Sequence, residues 1–188
     1  MRSGKAYLRL CLIALLLGFT PFSNAAEFNV MQAAFSTVNN FYSLDAKLEY
    51  EFSEESLEAL ANGIALTINV EVVVKRKRKY FWDRSVARVI QGYRLERHEL
   101  TNQYLVIDIS AGTQRNFGSL EEAISAMEEI GPIPVVELSA LDSATAYRAQ
   151  IKASLDIEEL PPPLRPIAYV SPGWRLSSKW YRWGIERE

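Results

Sequence analysis

Residues that carry chemistry are scarce in this chain. It has a single cysteine, Cys11, and a single histidine, His98. Cys11 falls inside an N-terminal apolar run that reads as an export leader, so the mature chain is expected to carry no thiolate. One imidazole and no thiolate exclude ordinary zinc, copper and iron sites. Cysteine nucleophiles go with them, and disulfides can add no stability even in an oxidising compartment. A serine triad would have to recruit His98, and no G-x-S-x-G elbow precedes a helix. Neither G-x-x-x-x-G-K nor G-x-G-x-x-G occurs, which removes the common nucleotide-phosphate loops. No loop clusters the oxygen ligands that calcium needs. Beyond the leader no apolar stretch is long enough to span a bilayer. No cofactor is expected.

The leader has the three parts of a secretory signal. Arg2, Lys5 and Arg9 make a basic start, Leu10 to Phe19 an apolar run, and Pro21 breaks it. Ser23-Asn24-Ala25 offers small residues to a signal peptidase, so cleavage is predicted after Ala25. Residues 1–25 are then a signal peptide, residues 26–188 one β-rich domain, and the periplasm its compartment. Cys11 lies near the start of the apolar run rather than at its end, which argues against lipid attachment. The leader's charges are all basic, so the mature chain is more acidic than the formal net charge of -2 suggests.

What the chain does have is alternation. Phe28 to Val38 reads as a strand, and Asn39-Asn40 as a tight turn. Tyr42, Leu44, Ala46, Leu48, Tyr50 and Phe52 share one face of the next strand, and Asp45, Lys47, Glu49 and Glu51 the other. Ser53 predicts a helix cap before an apolar stripe of Leu57, Leu60 and Ala61, closed by Asn62-Gly63. From Ile64 to Arg97 two long antiparallel strands are expected, meeting at a basic and aromatic corner. Tyr104 to Ile109 follows as a strand with Leu105, Ile107 and Ile109 on one side, and Ala111 to Asn116 as a loop. Ser119 to Glu122 is a capping box for a helix carrying Leu120, Ile124, Met127 and Ile130, stopped by Gly131-Pro132. Ile133 to Leu138 and Tyr147 to Leu155 are further strands. The proline-rich Leu160 to Pro166 is expected to be extended, with final strands over Ile167 to Val170 and Trp174 to Ile185. The sum is a mainly β protein: an antiparallel two-sheet sandwich, immunoglobulin-like in general architecture without the disulfide, with two short helices. An α+β layout is the alternative.

Three features could bind a partner. The first is the run Lys75, Arg76, Lys77, Arg78 and Lys79, whose mutual repulsion asks for an anionic neighbour; it equally describes a solvated hairpin end or a lysine-guarded edge. The second is Tyr80-Phe81-Trp82 beside it, of which Trp82 is the candidate contact. The third is the C-terminal stretch with Arg175, Trp180, Arg182 and Trp183, where rings could stack on a ligand or simply seal a core. The partners that fit are an envelope protein, an anionic lipid or a glycan. Nucleic acid does not fit an exported chain of net negative charge. Asp83, Glu96, Asp108 and Glu137 are the carboxylates that a hydrolase of an envelope polymer would have to pair. A lipid held between the sheets would need a cavity where Val72, Tyr93, Ile107 and Ile151 are expected to pack.

Several short segments stand in a familiar order: Ala59-Leu60-Ala61-Asn62-Gly63-Ile64-Ala65-Leu66, Trp82-Asp83, Tyr93-Arg94-Leu95 and Leu100-Thr101-Asn102-Gln103-Tyr104. Leu160-Pro161, Pro163-Leu164-Arg165-Pro166, Trp174-Arg175-Leu176-Ser177-Ser178 and Trp180-Tyr181-Arg182-Trp183 complete it. In this the chain resembles a family of exported proteobacterial proteins grouped as a domain of unknown function (4390). The resemblance covers nearly the whole mature chain. It implies a signal peptide, a Gram-negative envelope setting and one β-rich domain. It implies no reaction and supplies no catalytic residue.

Overall fold

Period-two alternation organises the computed structural model, which describes residues 27–78 and 83–185. Strands β1 (Phe28–Val38) and β2 (Phe41–Tyr50) form a hairpin. Asn39 and Asn40 carry its turn at φ of 49° and 68°, the left-handed pair that suits the twist of a two-residue hairpin. On β2, Leu44, Ala46, Leu48 and Tyr50 are buried, and Asp45, Lys47 and Glu49 face out. Ser53 then caps α1 (Glu54–Ala61): its Oγ accepts the Ser56 N–H at 3.1 Å and donates to the Gly173 carbonyl at 2.7 Å. That tie to Gly173 sets the rotation of the helix. It buries Ser56, Ala59 and Leu60, and Ala61 of the expected stripe is exposed.

Strands β3 (Leu66–Arg76) and β4 (Arg84–His98) are the long pair the sequence predicts, paired from Leu66 opposite Leu95 to Arg76 opposite Arg84 with one register shift between Val74 and Lys75. The tip, with Lys79 and Tyr80-Phe81-Trp82, lies outside the described residues, as does the predicted leader. Asn102 (φ 52°) and Gly112 (φ 65°) turn the chain into β5 (Gln103–Asp108) and β6 (Thr113–Phe117). Helix α2 (Leu120–Glu128), β7 (Glu129–Glu137), β8 (Tyr147–Leu155), α3 (Arg165–Val170) and β9 (Tyr181–Gly184) complete the described chain.

The strands form two antiparallel sheets, a small one in the order β1-β2-β7 and a large one in the order β6-β5-β4-β3-β8-β9. Their inner faces make a common core. Leu66, Ile68, Val70, Val72 and Val74 of β3 and Tyr147, Ile151 and Ala153 of β8 lie in one cluster with Phe28, Leu44 and Leu48 of the small sheet. Each large aliphatic chain taken from water here is worth about 1.5–3 kcal/mol. Helix α2 packs on β2, β5 and β6, covering the large sheet beyond the reach of the small one. One flank is sealed where Phe35 of β1 meets Trp183 of β9, rings 5.3 Å apart. On the other flank β7 stands beside β4.

Several expectations need correction. On β5 the core-facing residues are Val106, opposite Leu95, and Asp108, opposite Tyr93; Leu105 and Ile107 face outward and Ile109 is exposed. Tyr104 to Ile107 is apolar on both faces, so periodicity could not choose and register did. The expected loop at Ala111 to Asn116 holds β6, an exposed polar edge strand with no alternation to announce it. Gly131-Pro132 does not stop α2, which ends at Glu128; it sits inside β7 at a bulge where Leu44 pairs with Ile133 and Ala46 with Ile130. Gly131 is required there: φ is 131°, and a Cβ would stand 2.5 Å from the Leu44 carbonyl oxygen. Finally, Leu160 to Pro166 is not extended and Ile167 to Val170 is not a strand. Leu164 is helical in φ and ψ, and Pro166 lies in the first turn of α3, where a missing N–H costs nothing. The described residues therefore hold three short α-helices rather than two. Of the expected strand Trp174 to Ile185, only Tyr181–Gly184 pairs as β9, after an isolated bridge from Ser177 to Ser154.

Candidate functional site

The register of the large sheet gathers cations on its outer face. Inward positions of β3 and β8 are apolar, so Lys75 and Arg148, directly opposite one another, both point out. Val73 stands between Arg88 and Gln150 in the next row, and Gln150 is opposite Arg182 of β9. Lys152 lies opposite Glu71. Val73 and Gln150 are buried although they face outward. Some of the charge is balanced: Arg88 Nε is 2.7 Å from Glu71 Oε1. Arg76, opposite Tyr147 on the other side of β3, reaches Asp142 at 3.7 Å and Thr145 Oγ1 at 3.0 Å. Lys75, Arg148, Lys152 and Arg182 form no ion pair with another described residue. Lys77 and Arg78 are exposed beyond the end of β3, and Arg78 N–H donates to Asp83 at 3.3 Å.

The structure thus joins parts of two expected features and divides the rest. Lys75 and Arg182 share the basic face. Trp183 points from the opposite side of β9 into the sandwich flank, against Phe35 and Tyr181, with its Nε1 buried and without a hydrogen-bond partner. Trp180 is half-buried before β9. Arg175 is exposed but turned to the Tyr169 carbonyl, 2.9 Å from Nη2, beside α3. Lys79 and Trp82 lie outside the described residues.

A second site was not expected from the sequence. Along the flank between β7 and the β4-β5-β6 end of the large sheet run two adjoining cavities of about 290 and 420 Å³, which share Tyr93, Asp108 and Gly131 as walls. The smaller is polar, with Arg115 and Glu129; the larger runs on past Gln91 to Pro132 and Ile133. Gln91 faces inward, opposite Val70, and donates from Nε2 to Asp108 Oδ1 at 2.5 Å; Asp108 Oδ1 also accepts the Ala111 N–H at 2.9 Å. The Tyr93 phenol is pushed up to about 12, first by burial and then by the Asp108 carboxylate, with Gln91 and Arg115 opposing. Tyr50 is raised too, chiefly by burial, with Tyr93 and Glu128 adding to it, and its buried hydroxyl has no hydrogen-bond partner. Both phenols are neutral donors at ordinary pH. The signal for this site was Gln91, a polar residue where Val89, Tyr93 and Leu95 keep the core pattern.

Other chemistry is dispersed. His98 is exposed at the end of β4, with Nδ1 3.1 Å from Thr101 Oγ1. Asp83 is at the hairpin, Glu96 beside Arg94 on the outer face, and Glu137 at the end of β7 next to Ser139. Of the four carboxylates that a hydrolase would pair, Asp108 is the one in the groove. Among the described residues no group of three His, Cys, Asp or Glu side chains could hold a metal ion. None of the described helices is long and apolar enough to cross a membrane.

Against known proteins, the family described as a domain of unknown function, DUF4390, matches residues 25–184, and the chain belongs to that family. No curated protein and no solved structure matches it.

Proposed function

We propose that this DUF4390 member is an exported, periplasmic binding module without catalytic function of its own, which meets the anionic lipid headgroups of an envelope membrane through the outer face of its large sheet. The observation that carries the reading is the direct opposition of Lys75 and Arg148, flanked by Arg182 and by Lys152 opposite Glu71, with none of the four in an ion pair with another described residue. Like charges placed opposite across strands destabilise a sheet. An external polyanion offsets that cost, and a sheet face offers its cations broadly, as a membrane surface requires. Export rests on the leader read from the sequence.

The test is flotation of the mature chain with vesicles of phosphatidylcholine alone or mixed with phosphatidylglycerol. Binding is expected only with the anionic mixture, falling as salt rises. Each basic residue near such a surface is worth about 1 kcal/mol, so Lys75→Gln, Arg148→Gln and Arg182→Gln together weaken binding on the order of a hundredfold. Equal binding to both vesicles, or a triple variant that binds like the parent, overturns the proposal. Fractionation of a tagged full chain checks the compartment, and crosslinking to a protein in place of lipid would turn the reading toward an envelope protein.

A further inference from the structure

The groove between β7 and the β4-β5 edge breaks the pattern that builds the rest of the core. Register places Gln91 opposite Val70 and Asp108 opposite Tyr93, so both point into the layer between the sheets, where neighbouring positions are apolar. Gln91 is 7% exposed. A polar pair at such positions costs desolvation that leucine or valine would not, and departures of this kind from local pattern are concentrated at sites of function. The pair does not face a sealed core. It faces the two adjoining cavities, whose sizes fall near or within the range of roughly 300–1,000 Å³ usual for small-ligand sites.

The walls restrict the occupant. An added β-strand is disfavoured, because Pro132 and Pro134 remove two N–H donors from β7, the edge it would have to join. A lipid chain is disfavoured by the carboxylates of Asp108 and Glu129. A phosphate or other anion is disfavoured by the same groups, since Arg115 is turned to the Ala126 carbonyl at 2.8 Å and over the Phe117 ring. Two occupants are left, a cation and a neutral ligand that both donates and accepts, and the apolar walls at Pro132 and Ile133 favour the neutral one, with apolar faces between its polar groups. We propose that the groove is a saccharide site, in which Asp108 and Gln91 bind ring hydroxyls, the Tyr93 hydroxyl donates to them, and Pro132 and Ile133 pack against the sugar's C–H face.

This site is on the inner side of the large sheet and stands or falls apart from the basic face. Its test is chemical-shift mapping of the isotopically labelled mature chain with maltotriose, cellotriose and triacetylchitotriose, and with spermidine as a cationic control. At least one trisaccharide is expected to shift the amides of residues 108–112, 129–131 and 133, and Asp108→Ala is expected to weaken it tenfold or more. Gln91→Leu restores the apolar pattern; it is expected to fold at least as stably as the parent and to lose saccharide binding. No shift from any trisaccharide at millimolar concentration overturns the proposal. So do shifts from spermidine alone, or a Gln91→Leu chain that loses stability and keeps its binding.

Discussion

Tyr50 and Tyr93 keep their protons for the same physical reason, and the consequence is a stability that depends on alkaline pH. Burial disfavours phenolate, and the carboxylates nearby, Glu128 for Tyr50 and Asp108 for Tyr93, disfavour it further. In the unfolded chain a tyrosine releases its proton near the ordinary value of 10.0, whereas folded Tyr93 holds it to about 12. Between those values the unfolded state binds fewer protons than the native one, so stability falls as pH rises. The contribution is complete below pH 10 and is lost on passing through the folded value. Urea denaturation from neutral pH upward should give a midpoint that is flat to about pH 10 and then declines. Tyr93→Phe should soften that decline, and Tyr50→Phe, which also removes an unpartnered buried hydroxyl, should soften it without loss of stability at neutral pH. A parent midpoint that stays flat through pH 12 would show that neither phenol is held in this way.

At the scale of elements, the chain was legible where one face is wet and one dry, and where a cap marks a boundary. β1, β2, β3, β4 and β8 could be read from alternation because their outer faces are polar enough to contrast with the core. Ser53 and Ser119 marked both longer helices, since a side-chain oxygen accepting the N–H three residues on is a local interaction. β6 was hidden because it is polar up to its last residue, Phe117, and α3 because four prolines suggested extension where one of them suits a helical first turn. The cap at Ser53 does more than start α1: through the Gly173 carbonyl it fixes the helix to the segment before Leu176 and the β8 bridge. Ser53→Ala should therefore cost about 1–2 kcal/mol, at the upper end for a lost cap, because the Gly173 carbonyl loses its donor as well. Thermal unfolding of the two chains side by side decides it, and a difference near zero would mean that the cap is replaced by water.

At the scale of the whole molecule, the candidate sites were legible only in part. A contiguous run such as Lys75 to Arg78 is visible in sequence, but the face it belongs to is not. Arg148, Lys152 and Arg182 come from distant strands and join Lys75 through register alone. The groove was less visible still, since it depends on where β7 stands relative to β4 and on the true face of β5. This arrangement gives the basic face a signature that separates use from packing. If Lys75 and Arg148 served the fold, neutralising either would destabilise it. If they are held together for an external anion, removing one charge relieves repulsion between directly opposed strands, worth a few tenths of a kcal/mol. Lys75→Gln and Arg148→Gln are each expected to leave the unfolding free energy unchanged or slightly raised. Salt added beyond 0.1 M should stabilise the parent more than either variant, because at 0.1 M the screening length is about 10 Å, longer than the separation of paired residues, and their repulsion is still largely unscreened. The same substitutions should weaken binding to anionic vesicles about fivefold each, as about 1 kcal/mol per charge requires. Denaturation and flotation on the same samples measure both quantities, and opposite signs for stability and binding are the outcome that assigns the cations to a partner rather than to the sheet.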